Sequence, residues 1–273
     1  MRQTLNKAVK RIKSIAFVLL YIAIYYSVSF IVYAIYYKRS LAEGESLSAI
    51  QELAKNNMYL MTVVIWVISM LCYALIGKLR KYPISTALKR NPSPPIMFAI
   101  VTAFAFGSRF LVSVYYSLST NITVLDESIK MAESSLPDMA TPSQLVLALL
   151  CSIVIAPYFE EILFRGMIMD ELLKIMRPWI AIIIQAIAFG VMHGVLFQSI
   201  FTFVIGIALG FIYYRTKNIR IAVFFHCMFN FSAIFMQENL PPSGLMLYSV
   251  AGVILCGLSV SYICLNVKKD SWL

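Results

Sequence analysis

Long apolar runs recur along this chain, and most are of bilayer-spanning length. A membrane helix needs about 20 consecutive apolar residues. Such runs fall at Ile15–Tyr37, 58–77, 96–118, 143–163, 179–197, 199–214, 220–237 and 245–266. The 199–214 run is short for a bilayer, so it must tilt or extend. The pattern predicts an all-α, polytopic membrane bundle of about eight transmembrane helices. Composition agrees. The chain is 60% hydrophobic and 13% charged, against roughly 25% charged residues in a soluble domain. The basic N-terminus followed by an apolar run has the outline of a signal peptide. The run exceeds the ~7–15 residues of a signal's apolar core and no small-residue cleavage site follows, so it reads as the first membrane helix.

A formal net charge of +10 would suit a nucleic-acid binder, but its distribution does not. Basic residues occupy alternate loops. Seventeen fall at residues 1–14, 78–95, 174–177, 215–220 and 268–269, and the opposite loops hold four, Lys38, Arg39, Lys55 and Lys130. The positive-inside rule then puts both termini in the cytoplasm and loop 119–142 outside, in a multi-pass protein of a cell membrane, bacterial by expectation. The five cysteines lie in apolar runs without a C-x-x-C pair, so they read as buried apolar residues.

The polar chemistry sits inside the apolar runs. Pro157-Tyr158-Phe159-Glu160-Glu161-Ile162-Leu163-Phe164-Arg165-Gly166 holds three charges together. Each costs about 2.5–3.5 kcal/mol at a membrane-helix centre on insertion scales. Glu161 and Arg165 are four apart and share a helix face. They read as an ion pair that supports the site, leaving Glu160 free to act as a base. The alternative is a doubled structural salt bridge. His193 lies four residues after Phe189 and between Gly190 and Gly194, whose lack of side chains allows close approach of a helix or a substrate backbone. Alone, His193 could equally bond a carbonyl. His226 and Asn230, four apart, could donate to an oxyanion or serve as interhelical glue. Arg109 is a further mid-span charge, able to pair with a site carboxylate, hold a substrate carboxylate or snorkel to an interface.

The ordered set E-E-x-x-x-R, F-x-x-x-H and H-x-x-x-N resembles the CPBP intramembrane proteases. This group takes in CAAX-prenyl proteases and bacteriocin-processing enzymes and is also called Abi. The resemblance covers about residues 143–237. It implies that Glu160 and His193 activate water, and that His226 and Asn230 stabilise the tetrahedral oxyanion, with Glu161 and Arg165 in support. Three units follow: membrane helices over 1–142 without a motif, a catalytic core over 143–237, and a last helix with a cytoplasmic tail over 238–273. The expected activity is endopeptidase cleavage, near the cytoplasmic face, of a membrane-associated peptide or protein. CAAX-type processing, peptide maturation and bacteriocin self-immunity are all open as its setting. A non-catalytic scaffold or immunity protein of the same fold, and a proton-coupled transporter, are the rival readings. The partners are the substrate and the bilayer, with no nucleic acid. Glu160, His193 and His226 could supply three zinc ligands. No H-E-x-x-H is present and Asn230 is a poor zinc ligand, so metal-free catalysis is the favoured expectation and zinc the alternative.

Overall fold

The structure is a computed structural model that describes residues 2–81, 93–137, 141–236 and 240–267. Four of the basic residues counted for orientation, Lys89, Arg90, Lys268 and Lys269, lie outside these. Among the described residues the regular elements are helices, in the order α1 (Arg2–Ala42), α2 (Leu47–Asn56), α3 (Met58–Leu79), α4 (Ile96–Ser119) and α5 (Thr123–Ser134). There follow α6 (Pro142–Leu173), α7 (Pro178–Met192), α8 (Leu196–Thr216), α9 (Ile219–Ser232, extended by a 3₁₀ turn to Phe235) and α10 (Pro242–Asn266).

The chain is a polytopic helical bundle. Six helices, α1, α3, α4, α6, α8 and α10, are long and apolar enough to cross a membrane. The other two expected spans, α7 and α9, are shorter apolar helices. At 1.5 Å per residue α7 covers only about 22 Å, because Gly194 turns the chain at φ +74° and ends the helix early. The sequence also left α2 and α5 as loops. Their apolar residues are too few for a span, but a single face of each packs: Ile50 of α2 and Ile129 of α5 are buried.

Helix α6 runs ten residues past the end expected for it at 163. Arg165, Asp170 and Glu171 break its apolar window, yet all three are buried because neighbouring helices cover them. Its start follows from sequence. Thr141 and Gln144 form a capping box and Pro142 takes the first turn, where its missing N–H costs nothing. Within it, π-helical turns at Cys151–Ile155 and Ile162–Met169 flank the stretch Ala156–Glu161.

Small residues bring helices close. A Cβ on Gly107 of α4 would lie 2.7 Å from Leu255 of α10, and one on Gly190 of α7 would lie 2.7 Å from the Ser199 carbonyl of α8. Gly190 thus has the close-approach role read from the sequence. Gly194 has nothing within 4 Å of such a Cβ. It serves the turn instead, since a positive φ favours glycine.

Contacts between helix ends sort the loops into two sets. At one end Arg80 pairs with Glu171 at 2.7 Å, Asn218 donates to Ser93, and Arg215 donates to the carbonyls of Ile263, Cys264 and Val267. At the other, Asn57 bonds Tyr36, the Phe197 amide donates to Ser128, and the Leu240 amide donates to Ser117. The first set holds the basic loops.

Candidate active site

The site is assembled from α6, α7 and α9 around one aromatic ring, Phe189. That ring lies edge-on to His193 with centroids 4.9 Å apart and edge-on to His226 at 5.8 Å. The Arg165 guanidinium lies 4.6 Å from its centroid and Phe164 packs at 5.0 Å. A fully buried phenyl ring therefore spaces the two imidazoles and the cation. Phe189 was read only as part of a motif, and no spacing in the sequence reveals its contact with α9.

Glu161 is the buried hub. Its Oε1 accepts from Arg165 Nη1 at 2.8 Å and from His226 Nδ1 at 2.9 Å. Both carboxylate and guanidinium are fully buried. Arg165 Nη2 also donates to the Gly206 carbonyl of α8, a carbonyl shared with Gln185 Nε2. The expected Glu161–Arg165 pair is present, and Glu161 does more than pair. Its carboxylate can only accept when ionised, so His226 Nδ1 carries the proton and Nε2 points elsewhere. That second contact joins α6 to α9, 65 residues apart, beyond the reach of helical periodicity.

Glu160, one residue earlier, turns to a different face. Its Oε2 lies 3.8 Å from His226 Nε2, and its side chain keeps 14% exposure against zero for Glu161. It sits near the middle of α6 rather than late in a span, because the helix continues to Leu173. His193 caps α7 at the end of that helix away from the basic loops. Its Nδ1 lies 2.8 Å from the Phe189 carbonyl. A carbonyl only accepts, so Nδ1 holds the proton, and in the neutral ring Nε2 is an acceptor. His193 lies within electrostatic range of both Glu160 and His226.

Asn230, half-buried, donates from Nδ2 to the Ser152 carbonyl at 2.7 Å. The reason lies in α6. In its first π-helical turn the Ala156 amide bonds the carbonyl five residues back, on Cys151. The next such bond would run from residue 157 to Ser152, and residue 157 is proline, without an N–H. Asn230 fills that vacancy from α9. In this structure Asn230 is an interhelical bond, and its second amide proton remains for other work.

Ser152 also lines a cavity of about 470 Å³ between α3, α4, α5 and α8, with Tyr59, Arg109, Tyr116, Glu133 and Gln198 among its walls. This is where Arg109 lies, at 9% exposure. Ser152 is the lining residue that also bonds Asn230 of the site.

Among the described residues no group of three or more His, Cys, Asp or Glu side chains is arranged to hold a metal ion. Both Nδ1 atoms are committed, to Glu161 and to the Phe189 carbonyl. The set Glu160, His193 and His226 is close-lying but does not form a ligand shell.

Fold and site together define a polytopic helical membrane protein with a carboxylate–histidine cluster assembled from one long helix and its two shorter ones. The segment carrying that cluster, residues 142–232, matches the family described as "Type II CAAX prenyl endopeptidase Rce1-like". The resemblance seen in the motifs therefore holds for that segment. The chain is also 32% identical over 91 residues to a protein of Bacillus subtilis (strain 168) named "Putative membrane peptidase YdiL", a match covering 33% of this chain and 37% of the relative. The chain thus aligns with little more than a third of that relative's length. No solved structure matches it.

Proposed function

We propose that the protein is an intramembrane endopeptidase that hydrolyses a peptide bond of a membrane-associated peptide or protein. The observation that carries this reading is the convergence of Glu160, His193 and His226 from three helices, inside the segment that matches the peptidase family. Glu160 and the Nε2 of neutral His193 are both acceptors. A water between them would donate one hydrogen bond to each and turn a lone pair to a carbonyl carbon, the arrangement needed for general-base attack. Glu160 takes the proton, and later passes it to the leaving amine.

The oxyanion falls to His226 and Asn230. His226 Nε2 can donate only when the ring is protonated, because Nδ1–H is already spent on Glu161. The free Asn230 amide proton is the second donor. Glu161 acts as a positioning residue that sets the His226 ring, and Arg165 compensates Glu161.

The substrate segment lies in the cavity beside Ser152, with the scissile bond at the depth of Glu160. The mid-helix position of Glu160 and the place of His193 at the far end of α7 favour cleavage inside the bilayer over cleavage at the cytoplasmic face. No step is routed through zinc, since the donor set does not form a ligand shell. The test is a panel of membrane peptides offered to purified protein, beside its Glu160→Gln form. Cleavage products from the wild type and none from the variant support the reading. Equal cleavage by both overturns the base. Full activity that chelation removes and one equivalent of zinc restores would overturn the metal-free mechanism.

A further inference from the structure

Away from the site, a cavity of about 400 Å³ opens where α1, α3 and the last turn of α6 meet, lined by Lys10, Lys13, Phe17, Arg80, Glu171 and Lys174 among others. Four cations face one carboxylate. Arg80 and Lys174 share a single oxygen of Glu171, at 2.7 and 2.9 Å. Lys10 and Lys13, three apart and so on one face of α1, have no ion-pair partner among the described residues. The Arg80 guanidinium carbon also lies over Phe17, 3.3 Å from the ring centroid, which helps hold it in the wall. Among the described residues the lining thus holds more positive than negative charge.

Its level in the bundle identifies the kind of ligand. The apolar run of α1 begins at Ile15, that of α3 ends at Leu79, and α6 ends at Leu173. All three reach the same plane at the pocket, so it lies where headgroups lie. Further along α1 and α6, where α7 joins them, is an apolar slot of about 140 Å³ between Ile22, Tyr25, Tyr26, Leu163, Phe164 and Met192. Phe17 and Tyr25 are separated by about 12 Å along α1, so the slot follows the pocket inward. Only 17% of the apolar window of α1 is buried, leaving its flank to lipid.

We infer that the pocket binds a phosphate group, that of an anionic phospholipid whose acyl chain enters the slot. Lysine ammonium groups hold phosphate as point charges, and basic pockets between membrane helices accept anionic headgroups. The phosphate pocket is separate from the proposed chemistry and stands or falls apart from it, whereas the slot borders the active-site cluster at Phe164. Bound there, a lipid would tie α1 to α6, the helix that carries Glu160.

The test uses the full chain in nanodiscs of phosphatidylcholine with or without phosphatidylglycerol, with bound lipid counted by native mass spectrometry. The wild type should retain phosphatidylglycerol over phosphatidylcholine, and Lys10→Gln/Lys13→Gln should weaken that retention about thirtyfold. Both lysines are exposed, so the variant's unfolding temperature in pure phosphatidylcholine should equal that of the wild type. Inorganic phosphate, titrated into both lipid mixtures, separates the sources. Displacement of phosphatidylglycerol at millimolar phosphate supports a headgroup site. Phosphate binding without any lipid preference overturns the lipid and assigns the pocket to a free phosphate. Equal retention by wild type and variant overturns the site altogether.

Discussion

Adjacent carboxylates in α6 meet opposite environments, and that separation gives the sharpest residue-level predictions. Glu161 is sealed from solvent against Arg165 and His226, whereas Glu160 keeps partial access and sits beside the His226 Nε2. Glu160→Gln is nearly isosteric and removes no buried partner. It should leave the unfolding temperature in detergent unchanged and lower kcat by about 10²–10⁴-fold, the usual worth of a general base. Glu161→Gln leaves the Arg165 charge buried without compensation, which costs about 3–5 kcal/mol when one partner of a buried pair is removed. Its expected signature is low yield and a lowered unfolding temperature, with residual turnover in whatever fraction folds. Thermal unfolding and a cleavage assay on both variants check the pair. Loss of stability in Glu160→Gln with normal turnover in Glu161→Gln would reverse the two roles. The division was legible from spacing, because a partner four residues on exists for Glu161 and not for Glu160. The His226 contact was not, since it crosses between helices far apart in sequence.

At the scale of elements, α6 carries a defect that α9 repairs, and this makes the role of Asn230 separable. Asn230→Ala removes the donor to the Ser152 carbonyl and should cost about 0.5–1.5 kcal/mol, the usual net worth of one hydrogen bond. It should also lower kcat by about 10²–10³-fold with little change in KM if its other proton serves the oxyanion. A single variant mixes the two effects. Pro157→Ala restores an N–H at the position that faces Ser152 in the π-helical turn. The Pro157→Ala/Asn230→Ala double variant should regain stability and stay slow. Measuring unfolding and kcat for all four forms gives the cycle. Recovery of both would make Asn230 a structural bond alone. Six long helices are legible in the sequence, because apolar length is a strong signal. It misjudged α6 and α7 for physical reasons. Charged residues buried by neighbours look like a helix end, as in α6, and a glycine turn within an apolar stretch is invisible to hydropathy, as at Gly194.

The whole molecule is ordered by sidedness, and here sequence and structure bear on the same question by independent routes. The alternation of basic loops was read from charge alone. The helix-end contacts bring Arg80 to Glu171, Asn218 to Ser93 and Arg215 to the end of α10 at one end of the bundle. The acidic helix α5 and the α2–α3 junction join the opposite end through Tyr116 and Tyr36. Which end faces the cytoplasm is fixed by neither, and the positive-inside rule supplies the expectation that the basic end does. Single cysteines placed at Ser134 in α5 and at Ser271 in the tail, in a background without native cysteines, test it. Ser134 lies at the end of α5, and Ser271 lies outside the described residues. An impermeant maleimide applied to intact cells should label Ser134→Cys and reach Ser271→Cys only after the cells are opened. The reverse pattern would invert the protein in the membrane and move both the basic pocket and the His193 end of the site to the opposite leaflets. Labelling of both in intact cells would mean an odd number of crossings, and α7 or α9, the two helices shorter than a full span, is where the count would have to change.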